Sequence, residues 1–240
     1  MASFTENNGR LGNQFIRNIA VSLIAQKFDL RVNYFNDPLF RRMGLFLFSG
    51  NQEYSISTCI TDENYFSIYE LEKLESNVTS PCYYQTKEIT HLLYQYLRKE
   101  EVQHSIIEHN PFKDRYNQNN DLFIHVRLGD VSQYNPGIQY YLNAIRNISY
   151  SHIYIATDSP SDPIIHHILQ EFPSSMFLED EITTFQFGST CKHVLLSHGS
   201  FSAIIGYLSF FSTVYYPEYD LNRIWYGDIF SIPGWIKCMG

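Results

Sequence analysis

The chain has no excess of positive charge: 17 Lys and Arg stand against 25 Asp and Glu, a formal net charge of −8. Nucleic-acid binding means neutralising phosphates with clustered cations, so this balance argues against that class of partner. It leaves room for a single nucleotide held by one or two local cations. Cysteine is sparse. Cys59, Cys82, Cys191 and Cys238 are scattered, form no C-x-x-C and have no histidine at metal-ligand spacing. Neither a zinc site nor a disulfide framework is indicated. A reduced cytoplasmic setting is the plainer reading, although Asn77-Val78-Thr79 and Asn147-Ile148-Ser149 fit the glycosylation sequon. No apolar run reaches the ~20 residues of a membrane helix. Met1 to Glu6 lacks the basic start and apolar stretch of a signal peptide, so a soluble chain with no membrane span is expected. A G-x-G-x-x-G fingerprint after a predicted strand is also missing, which disfavours a dinucleotide-dependent dehydrogenase.

What is present is apolar and aromatic. The 240 residues are 44% hydrophobic, with 19 Tyr and 18 Phe, enough for a substantial core in one large domain or two smaller ones. The polar run Lys113–Asn120 is the best candidate boundary, giving domains of residues 1–118 and 119–240. In the first, Gly9-Arg10-Leu11-Gly12-Asn13-Gln14 leads into Phe15, Ile16, Ile19, Ala20, Leu23 and Ile24, whose three- and four-residue spacing predicts a helix from about Gln14. Leu30 to Tyr34 alternates as a strand does, and Ile89 to Glu108 has helical periodicity.

After the boundary the pattern is regular. Strands are predicted at Leu122–Val126, Ile153–Thr157, Met176–Leu178, Val194–Leu196 and Val214–Tyr216. Helices are predicted near Ile138–Ile148, Pro163–Phe172 and Ser202–Phe211, with a turn around Ile182–Gln186. Such alternation means βαβ units and a parallel sheet, an α/β fold. Each of the first four strands runs into polar residues: Arg127 and Asp130, then Asp158 and Ser159, then Glu179 and Asp180, then Ser197 to Ser202. In a doubly wound sheet the carboxyl ends of the strands face the ligand crevice, and the first and fourth strands flank its switch point. Arg127 would then face Ser197–Ser202, whose helix-opening amides and hydroxyls suit a phosphate.

Three segments in order, Gly9 to Gln14, His125-Val126-Arg127-Leu128-Gly129-Asp130, and Ser197-His198-Gly199-Ser200-Phe201-Ser202, resemble the motifs of α1,2-fucosyltransferases and their relatives. The resemblance implies the GT-B fold, two Rossmann-like domains facing a cleft, here with the N-terminal one reduced. It implies inverting, metal-independent transfer of L-fucose from GDP-fucose to a glycan acceptor, with no cofactor, and an α1,2 linkage is favoured. The absence of a D-x-D motif agrees with this. By motif, Arg127 corresponds to the cation on the β-phosphate and His125 to a nucleotide contact beside it. Gly12 and Asn13 correspond to the N-terminal domain's approach to the pyrophosphate, and Ser200, Phe201 and Ser202 to its cradle. Asp158 resembles an acidic contact to the nucleoside. Leu128 departs from the family, whose α1,2 members usually carry a second arginine there, so linkage and donor sugar stay open.

Alternatives stand beside each residue. Asp130 is a candidate base for the acceptor hydroxyl, or a carboxylate that orients Arg127 or caps the next helix. His125 is a nucleotide contact or a core histidine, Arg127 a ligand cation or a structural ion-pair partner. His198 reads as a local hydrogen-bonding residue, Asp180 as a helix cap or part of a solvated acidic cluster, and Asn13 as a donor-proximal group or a satisfier of its own turn. The rival functions are the same fold with a UDP-sugar or a GDP-rhamnose-type donor, and a non-catalytic nucleotide- or glycan-binding module.

Overall fold

A computed structural model describes residues 2–224 and 226–239. Contacts divide the chain into two units, Met1–Ile106 and Ile107–Gly240. The division lies earlier than residue 118 because the following segment bonds into the second unit. Asn110 Nδ2 donates to the Gln186 carbonyl at 2.9 Å, and Asn119 Nδ2 to that of Thr190 at 3.0 Å. Among the described residues no helix is long and apolar enough to cross a membrane.

The first unit opens with β1 (Ser3–Phe4), α1 (Leu11–Phe28) and β2 (Val32–Asn33), a short parallel βαβ turn. Helix α1 is buried nearly all round, so its pattern is weakly amphipathic. It stops at Asp29, which adopts the left-handed conformation. Helix α2 (Asp37–Arg42) follows, then β3 (Ser57–Cys59), α3 (Tyr65–Tyr69) and β4 (Asn77–Thr79), with β3 and β4 again parallel. The hydroxyl of Ser3 accepts from the Val78 amide at 2.9 Å and joins the two pairs. The helix expected over Ile89–Glu108 is two, α4 (Lys87–Leu97) and α5 (Glu100–Glu108). The amides of Arg98 and Lys99 reach back only three residues, to Gln95 and Tyr96, closing the first helix. Glu100 and Glu101 then open the second, where the helix dipole favours acids.

The second unit is built on β5 (Leu122–Val126), whose five residues are all buried. Then come α6 (Ile138–Asn147), β6 (Ile153–Thr157), α7 (Pro163–Glu171), β7 (Ser175–Met176), α8 (Glu181–Gly188), β8 (His193–Leu195), α9 (Gly199–Leu208), β9 (Thr213–Pro217) and β10 (Ile236–Cys238). All six strands are parallel, in the order β10-β9-β8-β5-β6-β7. That is the doubly wound, Rossmann-like order, with its reversal between β5 and β8. The sequence carries no signal for the sixth strand, β10. Three residues, two of them exposed, carry no readable period.

Alternation along β5 assigns the two faces. Leu122, Ile124 and Val126 enter a core with Tyr140, Tyr141, Ile145, Ile165 and Ile168 from α6 and α7. Phe123 turns the other way, its ring centroid 6.2 Å from those of both Phe177 and Phe187. His125 follows on that same face, 5.0 Å from the ring of Phe201 in α9. Each fully buried large apolar side chain on the two faces of β5 contributes about 1.5–3 kcal/mol.

Candidate functional site

The turn after β5 is shaped by a carboxylate from the next strand end. Asp158 accepts from the Leu128 amide at 2.9 Å and from the Arg127 guanidinium. Gly129 has φ +38°, and a Cβ there would meet Asp158 Oδ2 at 2.5 Å, so the glycine of this motif is required by the carboxylate beside it. Ser159 Oγ accepts from the Gly129 amide at 3.2 Å. Arg127 also donates to Asp130 at 2.5 Å. Its side chain is 15% exposed, those of Asp158 and Asp130 26% and 55%. One guanidinium thus sits between two carboxylates.

A chain of hydrogen bonds links this turn to the end of β8. Asn135 Nδ2 donates to the Arg127 carbonyl at 2.8 Å and to the Tyr141 hydroxyl at 3.0 Å. Tyr141 donates to Ser197 Oγ at 3.0 Å, and the Ser197 amide donates to Ser202 Oγ at 2.9 Å. Ser202 Oγ lies 2.6 Å from His125 Nδ1, which returns the chain to β5. Besides accepting from Ser197, the Ser202 hydroxyl keeps its proton and a second lone pair, so it pairs with either tautomer of the neutral His125 ring. Tyr140 adds a bond to the Leu196 carbonyl at 2.6 Å.

Both imidazoles here are held neutral. Burial, then the charge of Arg127 and the neighbouring His198, push His125 down to about 3. Burial and Arg127 push His198 down to about 4, partly offset by Asp158, the Val131 backbone and Asp130. That coupling places the guanidinium within electrostatic reach of the residue that opens α9. His198 occupies the N-cap of α9 without a side-chain capping bond, and the first turn contains no acid. The Tyr226 hydroxyl meets the Gly199 amide. With no acid in its first turn, the helix start keeps the positive end of its dipole without a carboxylate of its own helix.

The predicted residues distribute as follows. His125, Arg127, Asp130, Asp158, Ser200, Phe201 and Ser202 lie together at the carboxyl ends of β5, β6 and β8. Within the group, Asp158 orders the Arg127 turn, and Ser202 is fully buried with its hydroxyl turned inward. Phe201 packs on His125 and on Phe185, 4.3 Å between centroids in the latter pair. Ser200 is half-buried in the first turn of α9. Asp180, the alternative cap, does cap α8, accepting from the Thr183 amide at 2.9 Å.

Gly12 and Asn13 lie in the first turn of α1, in the first unit. Asn13 Oδ1 accepts from Gln85 at 2.8 Å, and Gln14 donates to the Gly9 carbonyl at 2.9 Å. Gly9, at φ +75°, leaves no room for a Cβ beside Asn13 and Tyr83. Below them the fully buried Arg17 donates to the carbonyls of Glu6, Asn8 and Cys82, fixing the loop that precedes the helix. Sequence reasoning missed Asn135, Tyr141 and Tyr226. Asn135-Pro136-Gly137 carries a turn signal, but Tyr141 reads simply as aromatic core and Tyr226 carries no signal of its own. No protein-family model matches the chain, and no curated protein matches it at a significant level.

Proposed function

We propose that the second unit binds a nucleoside diphosphate sugar. On this reading the protein is an inverting glycosyltransferase of GT-B arrangement, transferring L-fucose from GDP-fucose to a glycan hydroxyl in α1,2 linkage. The supporting observation is the placement of Arg127 beside the opening of α9 at the sheet's switch point, with both elements tied by the Asn135–Tyr141–Ser197–Ser202–His125 chain. The donor sugar and the independence from metal are carried over from the motif resemblance. Transfer concentrates negative charge on the departing diphosphate, and a guanidinium with helix-opening amides stabilises such charge. His125 and His198, neutral at pH 7, contribute ring hydrogen bonds and no charge.

Leu128 favours a second reading. It is 2% exposed and packs in the core beneath β5, so the position that carries an arginine in the α1,2 enzymes is interior here. A different nucleotide sugar on the same fold fits that change. Calorimetric titration with GDP, UDP and dTDP separates the two, and a preference for UDP removes fucose from the proposal. In Arg127→Ala the transfer or donor-hydrolysis rate should fall by about 100- to 1,000-fold, the cost of one lost transition-state contact. A rate unchanged by that substitution refutes the assignment of the site.

A further inference from the structure

The two carboxylates on Arg127 are not equivalent. Asp158 is built in, because its second oxygen holds the Leu128 amide and its position dictates the glycine at 129. Asp130 is three residues from Arg127 on the same turn, its side chain more than half exposed. We infer that Asp130 is a displaceable internal anion: it occupies the Arg127 site in the ligand-free protein and leaves when a diphosphate arrives. Asp130 thereby sets which anions enter. This rests on the nucleotide reading above and assigns Asp130 a gating role in place of the catalytic base.

The physical case is one of exchange. A carboxylate offers two oxygens and one charge, whereas a diphosphate offers more of both and suits the planar fork of a guanidinium. Releasing Asp130 costs little, because its side chain is 55% exposed and water takes over the carboxylate, while Arg127, 15% exposed, keeps Asp158 as a partner. An anion of comparable size and charge to Asp130, such as acetate, gains nothing by the exchange. Inorganic pyrophosphate and a nucleoside diphosphate do. Arg127 stays oriented throughout by Asp158, and its loop by Asn135.

The test is calorimetric titration of inorganic pyrophosphate, and separately of GDP and of UDP, into the full chain and into Asp130→Asn and Asp130→Ala. Both substitutions sit at an exposed position, and Ala removes any acceptor that Asn retains. Tighter pyrophosphate binding by about two- to fivefold in both variants is expected from the modest strength of a pair whose carboxylate lies in water. Equal or weaker binding in the variants overturns the gate, as does the absence of pyrophosphate binding in all three proteins. A wild-type chain that takes pyrophosphate but neither GDP nor UDP refutes the nucleotide reading, while the variant comparison still decides the gate. Unchanged affinity with abolished transfer returns Asp130 to the role of base and overturns the inference.

Discussion

Lowering the pH from 7 to 5 should destabilise the second unit through two residues. His125 and His198 are 4% and 2% exposed and titrate at about 3 and about 4 in the folded chain, against the ordinary value of about 6.5 when unfolded. Between those values the unfolded chain holds protons that the folded chain does not, so stability rises with pH. The contribution is fully present above about 6.5 and is lost as the pH falls below it. Integrated from pH 7 to 5, each imidazole accounts for about 2 kcal/mol and the pair for about 4 kcal/mol. That is a large part of the 5–15 kcal/mol typical of a domain. The assay is urea unfolding followed by circular dichroism at pH 7, 6 and 5, on the wild type and on His125→Asn. Asparagine keeps an acceptor for Ser202 without titrating, so the variant should lose about half the slope whatever its absolute stability. A wild-type stability that is flat over this range, or a variant slope equal to that of the wild type, refutes the picture of two buried neutral rings beside Arg127.

Other consequences are local. Tyr141→Phe removes the bonds to Ser197 and from Asn135; with a typical net value of about 1 kcal/mol each, the melting temperature should drop by several degrees in calorimetry. An unchanged melting temperature means that the chain from β5 to β8 contributes nothing to stability. Gly188→Ala builds a Cβ 2.7 Å from the Phe123 ring, and overpacking of that kind costs about 1–3 kcal/mol in denaturant unfolding. A neutral result there would mean that the ring shifts without cost.

The reading of the sequence was strongest where the signal is local. The apolar run Leu122–Val126 and the periods of α6, α7 and α9 follow from residues within a few positions of each other, and the structure has those elements with ends moved by no more than three residues. It was weakest where neighbours lie far apart in the chain. Of the alternating stretch Leu30–Tyr34, Val32–Asn33 pairs with the two-residue β1 and Leu30 bridges separately to Gln52, 22 positions on. The break at Arg98 and Lys99 falls in the charged run Arg98-Lys99-Glu100-Glu101, which reads equally well as the solvated face of one continuous helix.

By itself, then, the sequence determined an α/β second unit and put charged and small polar residues just after its strands, since strand period and turn chemistry are short-range properties. Only the tertiary structure decided the order β7-β6-β5-β8-β9-β10, and with it which strand ends meet. It decided that Arg127 is met by Asp158, 31 positions on, that Ser202 turns inward to His125 across 77 positions, and that Leu128 is core. A side chain's charge and size are written locally. Whether that charge faces a ligand or a carboxylate of its own chain depends on long-range parallel pairing, which no local window contains.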